Sequence, residues 1–362
     1  MKRGALLAIA GLLACSEAPP RAPSGLWVAS LEDGTVAFSR AGEPPRVTSL
    51  LERRGAGADL YMPRDLALSP DGLTLWVTAS AGTYRAGTPH ALEDHGEDGA
   101  WEHQTPDSVV ALDTVTGAIT ARVRVEAGAG VSSLTLSPDG RSLWVTATDR
   151  GEVLRVDTAS RRVTLRVPLG AESSPRGVAW CGGRVAVAVE GAKSLALVEP
   201  ETGAVSAVGL GGAAMDVRCT RDGDIAWVTL FDALEVARVA LPSGLVTRVP
   251  MPEGSQGPTG LSWSSDGRRL YVCDEGWLRG RDRGTTVVVL DAGRAAVSGV
   301  YPVGLGPHAA VEDPDDGLLY VSLTYEARVA LLEAATGRVR GTLEAGHKPH
   351  GIALGRPPGG DH

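Results

Sequence analysis

The chain has 362 residues and a formal net charge of −8, with 43 acidic against 35 basic side chains. That balance argues against nucleic acid as a partner, because phosphate neutralisation needs a basic surface. Its length exceeds what one hydrophobic core usually serves, a limit that repeat folds avoid by packing each unit on its neighbours. The 47 glycines, 23 prolines and short apolar runs suit many short strands joined by turns.

Met1-Lys2-Arg3 is a basic start, followed by an apolar run of 11 residues, Gly4 to Ala14. It is too short to span a bilayer and fits a signal-peptide core over residues 1–14. Leu12-Leu13-Ala14-Cys15 resembles the lipobox of bacterial lipoproteins. That resemblance implies lipidation of Cys15, and Ser16 in place of aspartate implies the outer membrane, on its periplasmic side or at the cell surface. Residues 15–24 then read as the lipidated cysteine and a proline-rich tether. No other segment is long and apolar enough to cross a membrane, so the lipid is the expected membrane contact.

The repeat is clearest in Ser137 to Leu169. Ser137-Pro138-Asp139-Gly140 is a turn, with proline presetting φ and glycine accepting a positive φ. Leu143-Trp144-Val145-Thr146 and Val153-Leu154-Arg155-Val156 follow as strands, then Val163, Leu165 and Val167 alternate with polar neighbours. Ser133 to Leu136 adds a strand in front, which completes a four-stranded antiparallel meander. Strands matching Leu143-Trp144-Val145 recur at Leu26, Leu75, Val185, Ala226, Leu270 and Leu319, giving seven. The strand before each of them enters at Arg64, Ser132, Arg176, Met215, Thr259, His308 and His350, spaced 68, 44, 39, 44, 49 and 42 residues apart. A period of this size with four strands per unit predicts a β-propeller. The expected fold is an all-β, seven-bladed β-propeller over residues 25–355, with residues 356–362 as a tail. The chain enters the repeat at a second strand and leaves at a first one. The C-terminal strand is therefore expected to complete the N-terminal blade and close the ring, leaving no large sheet edge.

The strands LWVTA, WVTL, LYVCD and LYVSL resemble the YVTN family of seven-bladed propellers, the YncE-like proteins. That family includes binding proteins, surface proteins and lactonase-like enzymes, so the resemblance bears on fold more than on function. The order Ser69-Pro70-Asp71-Gly72 departs from the Asp-box of sialidases, and no CxxCH for covalent haem is present.

In propellers the loop into the first strand and the loop from second to third strand share one face. A long insertion at 80–107 and a shorter one at 274–285 occupy the second kind of loop. Six of the seven histidines fall on that face: His90, His95 and His103 in the long insertion, and His308, His347 and His350 at first-strand entrances. Trp101 and Trp277 also lie in the insertions. The entrance residues are expected to ring the channel, with Arg64, Arg176, His308 and His350 as ligand-binding candidates at its mouth. Imidazoles from His308, His350, His347, His90, His95 and His103, near Glu93, Asp94, Glu97, Asp98 and Glu102, have the donor chemistry for Zn²⁺ or Cu²⁺. Histidine with arginine suits instead a small anionic ligand or a polarised carbonyl. Hydrogen bonding to water and loop carbonyls is the plainer use of such histidines. Asp65 and Asp216 either point into the channel or tie neighbouring strands. Arg122, Arg124, Arg162 and Arg166 read as charged edge-strand positions that deter aggregation. Trp76 and Trp144 read as packing between blades. Cys181, Cys219 and Cys273 are three in an oxidising compartment, so at least one stays free or pairs elsewhere, and both a Cys181–Cys219 bridge and three buried thiols fit their place in strands or strand ends.

Three readings of function follow. The first is a monomeric, lipid-anchored binding or scaffold propeller that presents its insertion-bearing face to a protein or surface ligand. It is favoured because no catalytic motif is complete. The second is an envelope metal-binding protein. The third is a lactonase-like hydrolase, with His308 or His350 as base and Arg64 or Arg176 stabilising an oxyanion.

Overall fold

The computed structural model describes residues 25–40, 43–54, 57–82, 105–276 and 281–355. They form seven antiparallel sheets in a ring, six of four strands and one of five. Blade 1 is Pro349–Gly355, Gly25–Ser30, Thr35–Ser39 and Arg46–Ser49, from the channel outward, so the two ends of the repeat share one sheet. The other inner strands are Gly57–Leu68, Val131–Leu136, Pro175–Cys181, Ala214–Cys219, Pro258–Trp263 and Pro307–Asp313, opening blades 2 to 7 in turn. Blade 2 carries an added short strand, Glu52–Arg54, paired with Gly57–Leu68.

Alternation along each strand sends apolar side chains to both faces of a blade, because both faces meet a neighbour. The core is accordingly divided into seven clusters, one per blade–blade interface. Trp76 packs between blades 2 and 3, and Trp144 between blades 3 and 4. The thinnest cluster, Leu26, Val28 and Val329 with partly buried neighbours, seals blade 7 against blade 1.

The Thr of the strand motif has a defined task. Thr78, Thr146, Thr229 and Ser322 each accept from the backbone N–H just after the entrance residue of their own blade, at 2.9–3.0 Å. Each then donates to the carbonyl of the next blade's entrance residue, Ser132, Arg176, Thr259 or His350, at 2.7–2.8 Å. The blades without this hydroxyl have Ala29, Ala188 or Cys273 in its place. In those blades a glycine follows the entrance residue: Gly351, Gly177 or Gly260. A Cβ on Gly260 would lie 2.0 Å from the His308 carbonyl oxygen, and one on Gly351 would lie 2.5 Å from that of Arg64. Neighbouring inner strands are thus joined either by a hydroxyl relay or by direct backbone approach.

Cys181 and Cys219 form a disulfide between the inner strands of blades 4 and 5, with Cα atoms 5.5 Å apart. It closes a loop with a sequence separation of 38, and such a link contributes about 3–4 kcal/mol in the chain-entropy treatment. Cys273 is a buried free thiol. Asp65 bonds Ser133 Oγ and the Leu134 N–H, and Asp216 bonds the Leu261 N–H. Both tie adjacent blades.

Candidate functional site

The seven entrance residues stand where the inner strands converge, and three of them come together. His308 and His350, from consecutive blades, stack with ring centroids 3.3 Å apart and planes inclined by 38°. Nδ1 of His350 donates to the carbonyl of Arg64 across the interface between blades 1 and 2, at 3.0 Å. Nδ1 of His308 meets Glu275 Oε2 at 2.8 Å. Both residues are half-buried, and the His308 side chain keeps 22% of its exposure. Among the described residues the Nε2 atoms of both imidazoles make no hydrogen bond to the protein.

Glu275 reaches His308 because its strand is longer than the motif suggests. Arg269–Gly276 and Arg283–Asp291 extend into the shorter insertion, whose 274–285 span therefore begins and ends in strand. The strands flanking the longer one likewise continue to Gly82 and resume at Pro106. Glu275 sits two residues beyond the relay position. There Ser80, Thr148 and Thr324 clasp the next blade by donating to the carbonyls of Val131, Pro175 and Pro349. A carboxylate in this slot touches the next blade's imidazole instead. Glu190 fills the same slot in blade 4 and takes Nε and Nη2 of Arg176, each at 2.7 Å.

The electrostatics differ from one cation to the next. Arg176 is neutralised by Glu190. Burial and the charge of Arg176 hold the Arg64 pKa down, while the charges of Asp149 and Asp107 act to raise it. Among the described residues the Arg64 guanidinium makes no ion pair or hydrogen bond, and it stays charged. Burial opposes charge on His308, but Glu275, through its charge and hydrogen bond, raises the pKa above the ordinary imidazole value. Burial, then His308, then Arg64 push His350 well below that value. Tyr325, under the guanidinium of Arg283 at 3.9 Å from its ring centroid, is raised by burial and by the Glu275 charge.

These shifts have opposite consequences for pH. A histidine raised by folding contributes stability that is complete below about 6.5 and is lost as pH rises through the folded value. His308 belongs to that case. His350 is depressed, so its effect is a loss of stability as pH falls below about 6.5 toward its folded value. Replacing Glu275→Gln removes the first effect and leaves the second. Urea unfolding is expected to find the variant less stable than the parent by about 1–3 kcal/mol at pH 5.5, with the gap narrowing at pH 8.5. A gap independent of pH would contradict the ion pair.

The remaining candidates are placed as follows. His347 lies in the loop before the last strand, where Nδ1 meets Asp33 Oδ1 at 2.9 Å with the side chain 73% exposed. His90, His95, His103, Trp101, Trp277 and Cys15 lie outside the described residues. No three His, Cys, Asp or Glu side chains among the described residues converge as metal ligands. Two imidazoles and Glu275 are the nearest approach, and Glu275 is already engaged by one of them. No described helix is long and apolar enough to cross a membrane. Sequence reasoning did not single out Glu275 or Glu190. The available signal was a carboxylate in a repeat column otherwise held by Leu31, Ser80, Thr148, Phe231 and Thr324.

The ring, its strand order and its closure define a seven-bladed β-propeller. No family model and no curated protein matches the chain. Solved structures do. A functionally unknown protein from Desulfotomaculum acetoxidans superposes with a TM-score of 0.69 at 14% identity, over 92% of this chain and 100% of that one. A candidate 6-phosphogluconolactonase from Bacteroides fragilis gives 0.65 at 14% identity, over 91% and 98%. Virginiamycin B lyase from Staphylococcus aureus gives 0.63 at 16% identity, over 80% and 88%. At these identities the likeness is one of fold.

Proposed function

We propose that the channel mouth binds a small organic anion, in a YVTN-type propeller that the lipobox at Leu12–Cys15 tethers to the outer membrane. The observation that carries this reading is Arg64: a half-buried guanidinium with no contacting counter-ion among the described residues, near enough to His350 for its charge to push that pKa down, on the same rim as two imidazoles with unbonded Nε2 atoms. A cation drawn partly out of water and left without a partner gains from a ligand that supplies one. Charge-assisted bonds from guanidinium and imidazolium to a carboxylate are the strong kind, which suits a compact ligand. Calorimetric titration of the intact protein with acetate and propionate, against propionamide, tests this. Carboxylates are expected to bind and the amide not, with affinity falling at least tenfold in Arg64→Gln. No carboxylate binding, or binding indifferent to Arg64, would remove the proposal.

The bare Nε2 of His350, whose Nδ1 proton is held by the Arg64 carbonyl, favours a second reading, hydrolysis of a ring ester. His350 Nε2 would take a proton from water as its oxygen attacks the carbonyl carbon, Arg64 would stabilise the resulting oxyanion, and on its collapse the ring C–O bond would break as His350 returns the proton to the departing alkoxide oxygen. Arg176 is less suited, because Glu190 already holds it. The names of two structural neighbours, a lyase and a candidate lactonase, agree with small-molecule chemistry on this fold. A panel of γ- and δ-lactones is expected to be hydrolysed by the parent and at least a hundredfold more slowly by His350→Gln, and equal rates would remove this reading. The scaffold reading rests on residues 80–107 and is tested by partner capture with and without them. The Zn²⁺ or Cu²⁺ reading likewise needs a donor from His90, His95 or His103.

A further inference from the structure

Resting on the anion-binding reading, we infer that the ligand class is a hydroxycarboxylate: its carboxylate lies against Arg64 and His308, and its neighbouring hydroxyl donates to His350 Nε2. Proton placement on the two stacked rings carries the inference. The partner of His350 Nδ1 is a backbone carbonyl, which only accepts, so this nitrogen holds the proton. In the neutral ring Nε2 is then a bare acceptor. The depressed pKa of His350 agrees with that neutral form.

His308 is the opposite case. Its Nδ1 faces the Glu275 carboxylate, which fixes a proton there and stabilises the imidazolium, in which Nε2 also donates. Two imidazoles in ring contact thus present one donor and one acceptor, with the Arg64 guanidinium supplying further donors. The negative groups near His308 are Glu275, Asp65 and Asp216, and both aspartates are committed to backbone bonds between blades.

A plain carboxylate seated on Arg64 and His308 would cover His350 Nε2 without offering it a donor, and displacing water from that lone pair carries a desolvation penalty. A 2-oxo acid is worse, since it turns an acceptor toward an acceptor. A hydroxyl on a carbon next to the carboxylate, or one beyond, supplies the missing donor. Sites built to hydrogen-bond a ligand hydroxyl discriminate strongly against analogues that lack it.

Calorimetric titration of the intact protein with lactate and malate, against propionate, pyruvate and succinate, tests the inference. Each hydroxy acid is expected to bind at least tenfold more tightly than its deoxy or oxo counterpart. His350→Phe should keep propionate-level binding and lose the preference, and His350→Gln, which retains an acceptor oxygen, should restore part of it. Propionate binding as tightly as lactate would reject the hydroxyl assignment while leaving the anion reading intact. Binding by none of the five would reject both. The comparison on the parent protein decides even where a variant does not fold.

Discussion

A chain ending at Lys348 is expected to give no folded propeller: no near-ultraviolet circular dichroism, no cooperative unfolding, and insoluble protein on expression. The strand it lacks, Pro349–Gly355, pairs with Gly25–Ser30 from Gly25↔Gly355 to Val28↔Ile352 and again at Ser30↔Pro349. That strand also serves both neighbouring blades. Ser322 and Thr324 of blade 7 donate to the carbonyls of His350 and Pro349, while His350 donates to Arg64 of blade 2. Each lost hydrogen bond costs about 1 kcal/mol, and more where a buried group is left unpaired. Ile352 and Leu354 also leave the thinnest interface in the ring. The total is of the order of a whole domain's stability, about 5–15 kcal/mol. An exposed inner edge would then invite pairing between molecules. A truncated protein with native dichroism and a cooperative transition at the parent's urea midpoint would show that this strand does not close the ring.

The second large effect belongs to Gly260. Its substitution by alanine places a Cβ 2.0 Å from the His308 carbonyl oxygen, a backbone atom with little freedom to move. The inner strands of blades 6 and 7 must separate, and overpacking of this kind costs about 1–3 kcal/mol or more. Gly209→Ala is the matched control, since no atom lies within 4 Å of its Cβ position and its φ is ordinary. Alanine there is neutral or stabilising by up to about 1 kcal/mol, through the unfolded chain. Urea midpoints are expected to fall for Gly260→Ala and to hold or rise for Gly209→Ala. Because the clash is with His308 itself, the first substitution should also weaken carboxylate binding. Equal midpoints for the two variants would contradict the close-approach explanation of the glycine column.

The ring was legible because its unit repeats. Seven copies of the Leu-Trp-Val-type strand mark seven blades, and the phase at Leu26 and Pro349 implies closure before any coordinates are seen. Aligning entrance residues brought His308, His350 and Arg64 onto consecutive blades; the two imidazoles stack, and His350 meets the backbone carbonyl of Arg64. The disulfide was left open by the residue pattern; it forms because Cys181 and Cys219 end adjacent inner strands, whereas Cys273 lies in a relay column.

Other features were not legible, for physical reasons. Glu275 read as part of an insertion, because nothing in a glycine- and arginine-rich stretch indicates that the strand continues to Gly276. Glu52–Arg54 is too short and charged to show periodicity. Ring stacking and the tautomers of two histidines depend on distances of a few tenths of an ångström, which a residue pattern does not encode.

The most direct measurement is the protonation of the two channel imidazoles, read from ¹⁵N chemical shifts of histidine-labelled protein at pH 6 and assigned with His308→Gln and His350→Gln. His350 should be neutral, protonated on Nδ1 with Nε2 bare, and His308 should carry protons on both nitrogens. A charged His350, an Nε2–H tautomer of it, or a neutral His308 would contradict the site as described.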